Sequence, residues 1–285
     1  MTKKGTLIPI GGNEDKGPEV NESYNLDFVK EGILSRVVRE SGGVDAKILV
    51  IPTASRIPVE VGGNYMKAFG GLGCTDVTVL NINEREHAEK PVWLQLVEEA
   101  DCIMFSGGDQ SRIVDIIGQS SMHKIMTRRF ESDGLVIAGT SAGAMAMSTE
   151  MIWGGSSSEA LVKGAVDMRD GMNFIPKLII DTHFIKRGRF GRMAEAVAKH
   201  PSLLGVGLAE DTGLIIRDSN HFTVIGSGMV IIFDPSDLQN NNEKILPEGM
   251  PMTMSNLRVH ILANSDTFTI DKKEIHVLPI DAEFE

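Results

Sequence analysis

Apolar positions along the chain follow two alternating rhythms. Short β-branched runs at Thr6–Ile10, Ile48–Pro52, Val77–Ile82, Cys102–Ser106 and Leu135–Ala138 predict strands. Between them, apolar residues return every three or four positions. Val29, Ile33 and Val37, beside Leu34 and Val38, predict a helix over Leu26–Ser41 with one buried face, and Gly42-Gly43 follows where a left-handed cap is easy. Further helices are predicted around Tyr65–Phe69 and over Pro91–Glu99, Ser111–Ile117 and His123–Glu131. Strand, helix, strand in this order is the pattern of a parallel sheet, and strands this apolar are expected to be covered on both faces.

After Met145 the rhythm loosens. The segment Gly154-Gly155-Ser156-Ser157-Ser158 reads as a mobile loop near the site, and the pattern resumes with Leu178–Ile180, a helix over Phe190–Lys199 and a strand at Leu204–Ala209. From Gly213 the chain is strand-rich, with runs at Leu214–Arg217, His221–Ile225, Met229–Phe233, Val259–Leu262 and Thr267–Ile270, and turn residues such as Asp234-Pro235 between them. The expectation is one α/β domain over residues 1–285, its core at about 5–235, with an antiparallel, strand-rich extension over about 213–285.

Composition narrows the functional classes. The 285 residues are 42% hydrophobic and 24% charged, enough to bury a sizeable core. Acidic side chains outnumber basic ones 39 to 28, and the formal charge of −11 repels nucleic acid and anionic lipid, so no nucleic-acid or membrane partner is expected. No apolar run approaches the roughly 18–20 residues that cross a bilayer, and the charged start is followed by no signal-type apolar stretch. Cys74 and Cys102 are too few for a disulfide scaffold or a cysteine zinc site, which makes a reducing cytoplasm the default. Neither H-E-x-x-H nor G-x-x-x-x-G-K-[ST] occurs, and no G-x-G-x-x-G follows the first strand, so neither metal nor cofactor is implied.

The chemistry-bearing residues gather at predicted strand ends, where open α/β sheets place their sites. Leu135–Ala138 runs into Gly139-Thr140-Ser141-Ala142-Gly143, a nucleophile-elbow pattern in which a sharp strand-to-helix turn pushes the serine hydroxyl outward. The N–H of Ala142 is a candidate oxyanion donor, and a second is expected from Gly107 or Gly108 in Phe105-Ser106-Gly107-Gly108-Asp109-Gln110. A serine needs a base, and among seven histidines His183 is best placed, closing the run Leu178-Ile179-Ile180. An acid must orient that base; Glu210 ends another apolar strand, while Asp181 and Asp211 compete for the role. Sequence spacing does not choose among them. Arg187, Arg189 and Arg192 open a predicted helix, where the dipole ordinarily favours acids, and this placement suggests an anionic ligand with carboxylate as the natural partner.

Taken together, these blocks resemble the cyanophycinase branch of the serine peptidases related to peptidase E. Gly11-Gly12-Asn13-Glu14-Asp15-Lys16, Ile51-Pro52-Thr53-Ala54-Ser55, the Phe105–Gln110 and Gly139–Ala144 blocks, the His183–Arg192 segment and Gly207-Leu208-Ala209-Glu210 match family blocks in order. The resemblance implies a class I glutamine amidotransferase-like (flavodoxin-like) three-layer sandwich with a mostly parallel central sheet. It also implies Ser141 as nucleophile, His183 as base and then acid, Glu210 as its orienting carboxylate, and Gly107, Gly108 and Ala142 around the oxyanion. The implied substrate is cyanophycin, a polyaspartate whose side chains carry arginine through isopeptide bonds, released as β-Asp-Arg dipeptides. Arg187, Arg189 and Arg192 would pair with substrate carboxylates, Gln110 and Asp181 would hold the terminal unit, and the enzyme would be a homodimer. Thr182 stands where these enzymes commonly have glutamine, which loosens the expectation about specificity. The alternatives are a peptidase-E-like dipeptidase acting on other aspartyl or isoaspartyl peptides, and a noncatalytic anion-binding protein of the same fold.

Overall fold

The structure is a computed structural model that describes residues 3–14, 32–156 and 159–282. The first part of the helix expected over Leu26–Ser41, the pair Asp15-Lys16 and the serines Ser157 and Ser158 lie outside the described residues. In chain order the elements are β1 (Thr6–Ile10), α1 (Ile33–Glu40), β2 (Ile48–Ile51), α2 (Pro58–Gly71), β3 (Val77–Val79), α3 (Pro91–Glu99), β4 (Cys102–Phe105), α4 (Gln110–Ile117), α5 (Ser121–Ser132), β5 (Val136–Thr140) and α6 (Ala142–Met145). They continue with β6 (Glu150–Gly155), β7 (Val166–Asp170), β8 (Leu178–Asp181), α7 (Phe190–Lys199), β9 (Leu204–Leu208), β10 (Thr212–Arg217), β11 (His221–Gly226), β12 (Val230–Asp234), β13 (Arg258–Leu262), β14 (Thr267–Thr269) and β15 (Glu274–His276).

The described strands form three sheets, the largest ordered β15-β14-β11-β10-β1-β5-β4-β2-β3. Its half from β1 to β3 is parallel throughout, and β10, β11, β14 and β15 extend it antiparallel. Period-two alternation explains why the parallel half is apolar at nearly every position. Ile8, Ile48, Val50, Met104 and Ala138 point to the face covered by α1 and α2, while Leu7, Leu49, Ile51, Ile103 and Ile137 point to the face covered by α3, α4 and α5. The result is the three-layer arrangement expected from the sequence.

The runs at 178–180 and 204–209, which the sequence identified as strands without assigning them to a sheet, do not join this one. Parallel β8 and β9 pair with antiparallel β12 and β13 in a separate four-stranded sheet. Its Ile179, Val206, Leu208 and Ile232 enter the same buried cluster as α3–α5 and α6, so the two sheets share one core. The glycine-serine segment also differs from its loop reading: Gly154 and Gly155 finish β6, which pairs with β7 in a hairpin. Glu210 and Asp211 link the two larger sheets, standing between β9 in the smaller and β10 in the larger.

Candidate active site

Ser141 sits between β5 and α6 with φ 50° and ψ −109°. A non-glycine residue held at such angles costs of order 1–3 kcal/mol and persists only where its surroundings enforce it. Here the enforcement is visible. The Ser141 N–H donates to Ile10 O at 2.9 Å, and its carbonyl accepts from Ala144 N and Met145 N at 3.1 and 3.0 Å. The two glycines of the motif are required by contact: a Cβ on Gly139 would lie 2.7 Å from the Gly143 carbonyl carbon, and a Cβ on Gly143 2.7 Å from Phe105 O. Only with both side chains absent can α6 start directly over the end of β5.

The hydroxyl thus presented meets its partners in a row. His183 Nε2 lies 3.0 Å from Ser141 Oγ, and His183 Nδ1 lies 2.7 Å from Glu210 Oε1. The carboxylate can only accept, so Nδ1 carries the proton and Nε2 is left to take one from the serine. Glu210 Oε2 accepts from Lys186 Nζ at 3.1 Å, and the Asn13 side chain also bonds this carboxylate. Of the three acids that competed in the sequence, Asp211 instead accepts from Ser227 Oγ through its carboxylate and donates its N–H to Gly12 O at 2.8 Å. Asp181 is engaged elsewhere, as described below.

Burial pushes His183 below its ordinary pKa, and repulsion from Arg187 adds to this against the opposing pull of Glu210. Burial alone would raise Glu210, but hydrogen bonds from His183, Lys186 and Asn13 outweigh it and hold the carboxyl low. The imidazole is therefore neutral and the carboxylate charged near pH 7, the pairing that a general base requires.

Gly107 lies beside the serine, since a Cβ there would stand 3.4 Å from Ser141 Cβ. Gly108 has φ 142°, and a Cβ would fall 2.1 Å from Ala54 O, so no other residue fits without moving the β2 loop. Ala142 is the first residue of α6, and its N–H has no acceptor within that helix. Gln110 opens α4, capped by Asp109 through Ser111 N, and its amide donates to Ile152 O and Trp153 O at 3.0 and 3.2 Å, tying the β4 loop to β6.

The arginine cluster divides in two. Arg192 is buried and grips Asp181 bidentately, Nε to Oδ2 and Nη2 to Oδ1, both at 2.9 Å; Arg189 Nη1 adds a bond to Asp181 Oδ1 at 2.6 Å and one to Thr182 O at 2.8 Å. Arg192 thus finds the carboxylate partner its residue type suggested, but within its own chain. Thr182 is wholly buried, its hydroxyl 3.4 Å from Met145 Sδ, so Asp181, Thr182 and Arg192 are all withdrawn from open solvent. Arg187 is exposed, and Arg189 is half-buried with its Nε lacking a partner among the described residues.

Sequence reasoning assigned no role to Gly12, Asn13, Glu14 or Lys186. The available signals were that Gly11-Gly12-Asn13-Glu14 follows the first strand at the same carboxyl edge as the other site loops, and that this block and the segment holding Lys186 both resemble family blocks.

A model of peptidase family S51 matches residues 26–224. The cyanophycinase of Trichormus variabilis is 37% identical over 276 residues, covering 96% of this chain and 88% of its own length. The cyanophycinase of Geminocystis herdmanii is 34% identical over 267 residues, 93% of each chain. Among solved structures, a peptidase from an acI-B1 actinobacterium aligns with a TM-score of 0.60 and 23% identity over 91% of this chain and 97% of its own, a likeness of the flavodoxin-like fold.

Proposed function

This chain belongs to peptidase family S51 and is a serine-type peptidase, and from that premise we propose that it hydrolyses cyanophycin from a chain end to β-Asp-Arg dipeptides through an acyl-enzyme. The observation that carries this reading is the row Ser141 Oγ, His183 Nε2, His183 Nδ1, Glu210 Oε1, with neighbouring contacts of 3.0 and 2.7 Å. Ser141 Oγ attacks the scissile carbonyl carbon as its proton passes to His183 Nε2. Glu210 stabilises the imidazolium, and the N–H groups around Gly107, Gly108 and Ala142 receive the charge on oxygen. His183 then protonates the leaving amine, the C–N bond breaks, and water repeats the sequence on the Ser141 ester.

Substrate choice rests on charge. Arg187, exposed and close enough to His183 to act on its charge, offers donors to aspartyl carboxylates, whereas the Arg189 guanidinium is held by Asp181 and Thr182 O. Gln110 borders the oxyanion glycines, while Asp181 and Arg192 form a buried pair before and after the His183 turn. By analogy with the family the enzyme acts as a homodimer, and its two free cysteines fit a reducing cytoplasm.

Mass identification of the products from purified cyanophycin tests reaction and substrate together. Released β-Asp-Arg supports the proposal. Hydrolysis of small Asp-X peptides without β-Asp-Arg would point to a peptidase-E-like dipeptidase, and failure of Ser141 to form an adduct with a serine-directed fluorophosphonate would point to a noncatalytic binder.

A further inference from the structure

Glu14 lies outside the catalytic row and is completely buried. One of its oxygens accepts from the Tyr65 hydroxyl of α2 at 2.5 Å, and the other from the Thr140 hydroxyl at 2.6 Å, immediately before the nucleophile. Such separations are those of hydroxyls bonded to an ionised carboxylate. Burying a charged carboxylate in a core is expensive unless its oxygens are satisfied, so these contacts hold it firmly in place.

The stretch at residues 10–14 touches every member of the row. Ile10 O accepts the Ser141 N–H, and Gly11 O accepts the His183 N–H at 2.9 Å. Gly12 lies against the imidazole, Gly12 O accepts the Asp211 N–H, and Asn13 bonds Glu210. One end of this loop is fixed by β1. Past the glycines, Glu14 ties it to the β5 end that carries the serine. Resting on the triad reading above, we propose that Glu14 is a positioning residue: with Tyr65 and Thr140 it clamps the loop at residues 11–14 beneath the nucleophile and so sets the approach of His183 to both Ser141 and Glu210.

The test uses the full-length chain carrying Glu14→Gln or, separately, Tyr65→Phe, which removes one donor and leaves the carboxylate in place. Three quantities are read: kcat and KM on cyanophycin, the rate of Ser141 phosphonylation by a fluorophosphonate, and the low-field proton resonance of His183 Nδ1–H. For Glu14→Gln, kcat and phosphonylation should both fall about 10- to 100-fold with KM within about twofold, as expected when reacting groups are displaced by a fraction of an ångström to an ångström. The Nδ1 resonance should move. Tyr65→Phe should act in the same direction more weakly, and it carries the test if Glu14→Gln does not fold. Full kcat, labelling rate and an unmoved resonance in folded variants with lowered melting temperature would overturn the proposal, since that is what a merely structural residue gives. Failure of the unaltered protein to cleave cyanophycin or to label at Ser141 would count against the proposed function alone; the resonance would still decide the role of Glu14.

Discussion

Gly12 packs directly against the ring of His183: a Cβ at Gly12 would stand 2.4 Å from His183 Cε1 and 2.6 Å from Nε2. The contact leaves no room for any side chain, and φ at Gly12 is +105°, which L residues rarely adopt. Gly12→Ala should therefore displace the imidazole from the serine. The expected outcome is a loss of kcat of about 100-fold or more, measured on cyanophycin, and near-normal turnover in a folded variant would contradict the packing described.

Ser141→Ala removes the proposed attacking oxygen and keeps the backbone. Turnover should drop by roughly four to six orders of magnitude, as for other triad nucleophiles, with the melting temperature changed little. Activity near the unaltered level would mean that another group attacks.

The activity should depend on pH in a defined direction. Because burial and Arg187 lower the His183 pKa, the base stays neutral to below about 6.5, the ordinary histidine value. The acidic limb of the kcat/KM profile should lie there. Arg187→Gln removes a repelling charge, so protonated His183 becomes easier to form and the limb should move to higher pH. A limb that stays put or moves lower would show that Arg187 does not act on the imidazole.

Asp181 is wholly buried and pairs with two arginines, and Asp181→Asn would leave Arg189 and Arg192 without that counter-charge. Breaking one side of a buried pair typically destabilises by about 3–5 kcal/mol. Urea unfolding should show a clearly lower midpoint with a similar slope. A change below about 1 kcal/mol would place the pair in effectively aqueous surroundings, contrary to the burial observed.

Much of this arrangement is legible in the sequence because each candidate in the row ends an apolar run. Ser141 follows β5, His183 follows β8 and Glu210 follows β9, and strand ends are where α/β sheets expose chemistry. Local pattern could not say which acid faces the ring, since Asp181, Glu210 and Asp211 all stand at strand ends and differ only in what long-range pairing brings beside them. The same limit applies to β8 and β9. Their apolar, β-branched character identifies strands, but membership of a second sheet depends on β12 and β13, more than twenty residues farther along the chain for β12 and about fifty for β13. Arg192 shows the converse: a guanidinium looks the same in sequence whether its carboxylate comes from a ligand or from its own chain.

Glu210 stands where the chain passes from the smaller sheet to the larger, and His183 and Ser141 lie on opposite sides of that seam. The proposed catalytic row is consequently a gauge of how the two sheets sit on one another. Were one to slide past the other by an ångström, every ladder within each sheet could survive while Oγ and Nε2 parted. Heating should then silence the enzyme before the far-ultraviolet signal of its strands and helices begins to fade.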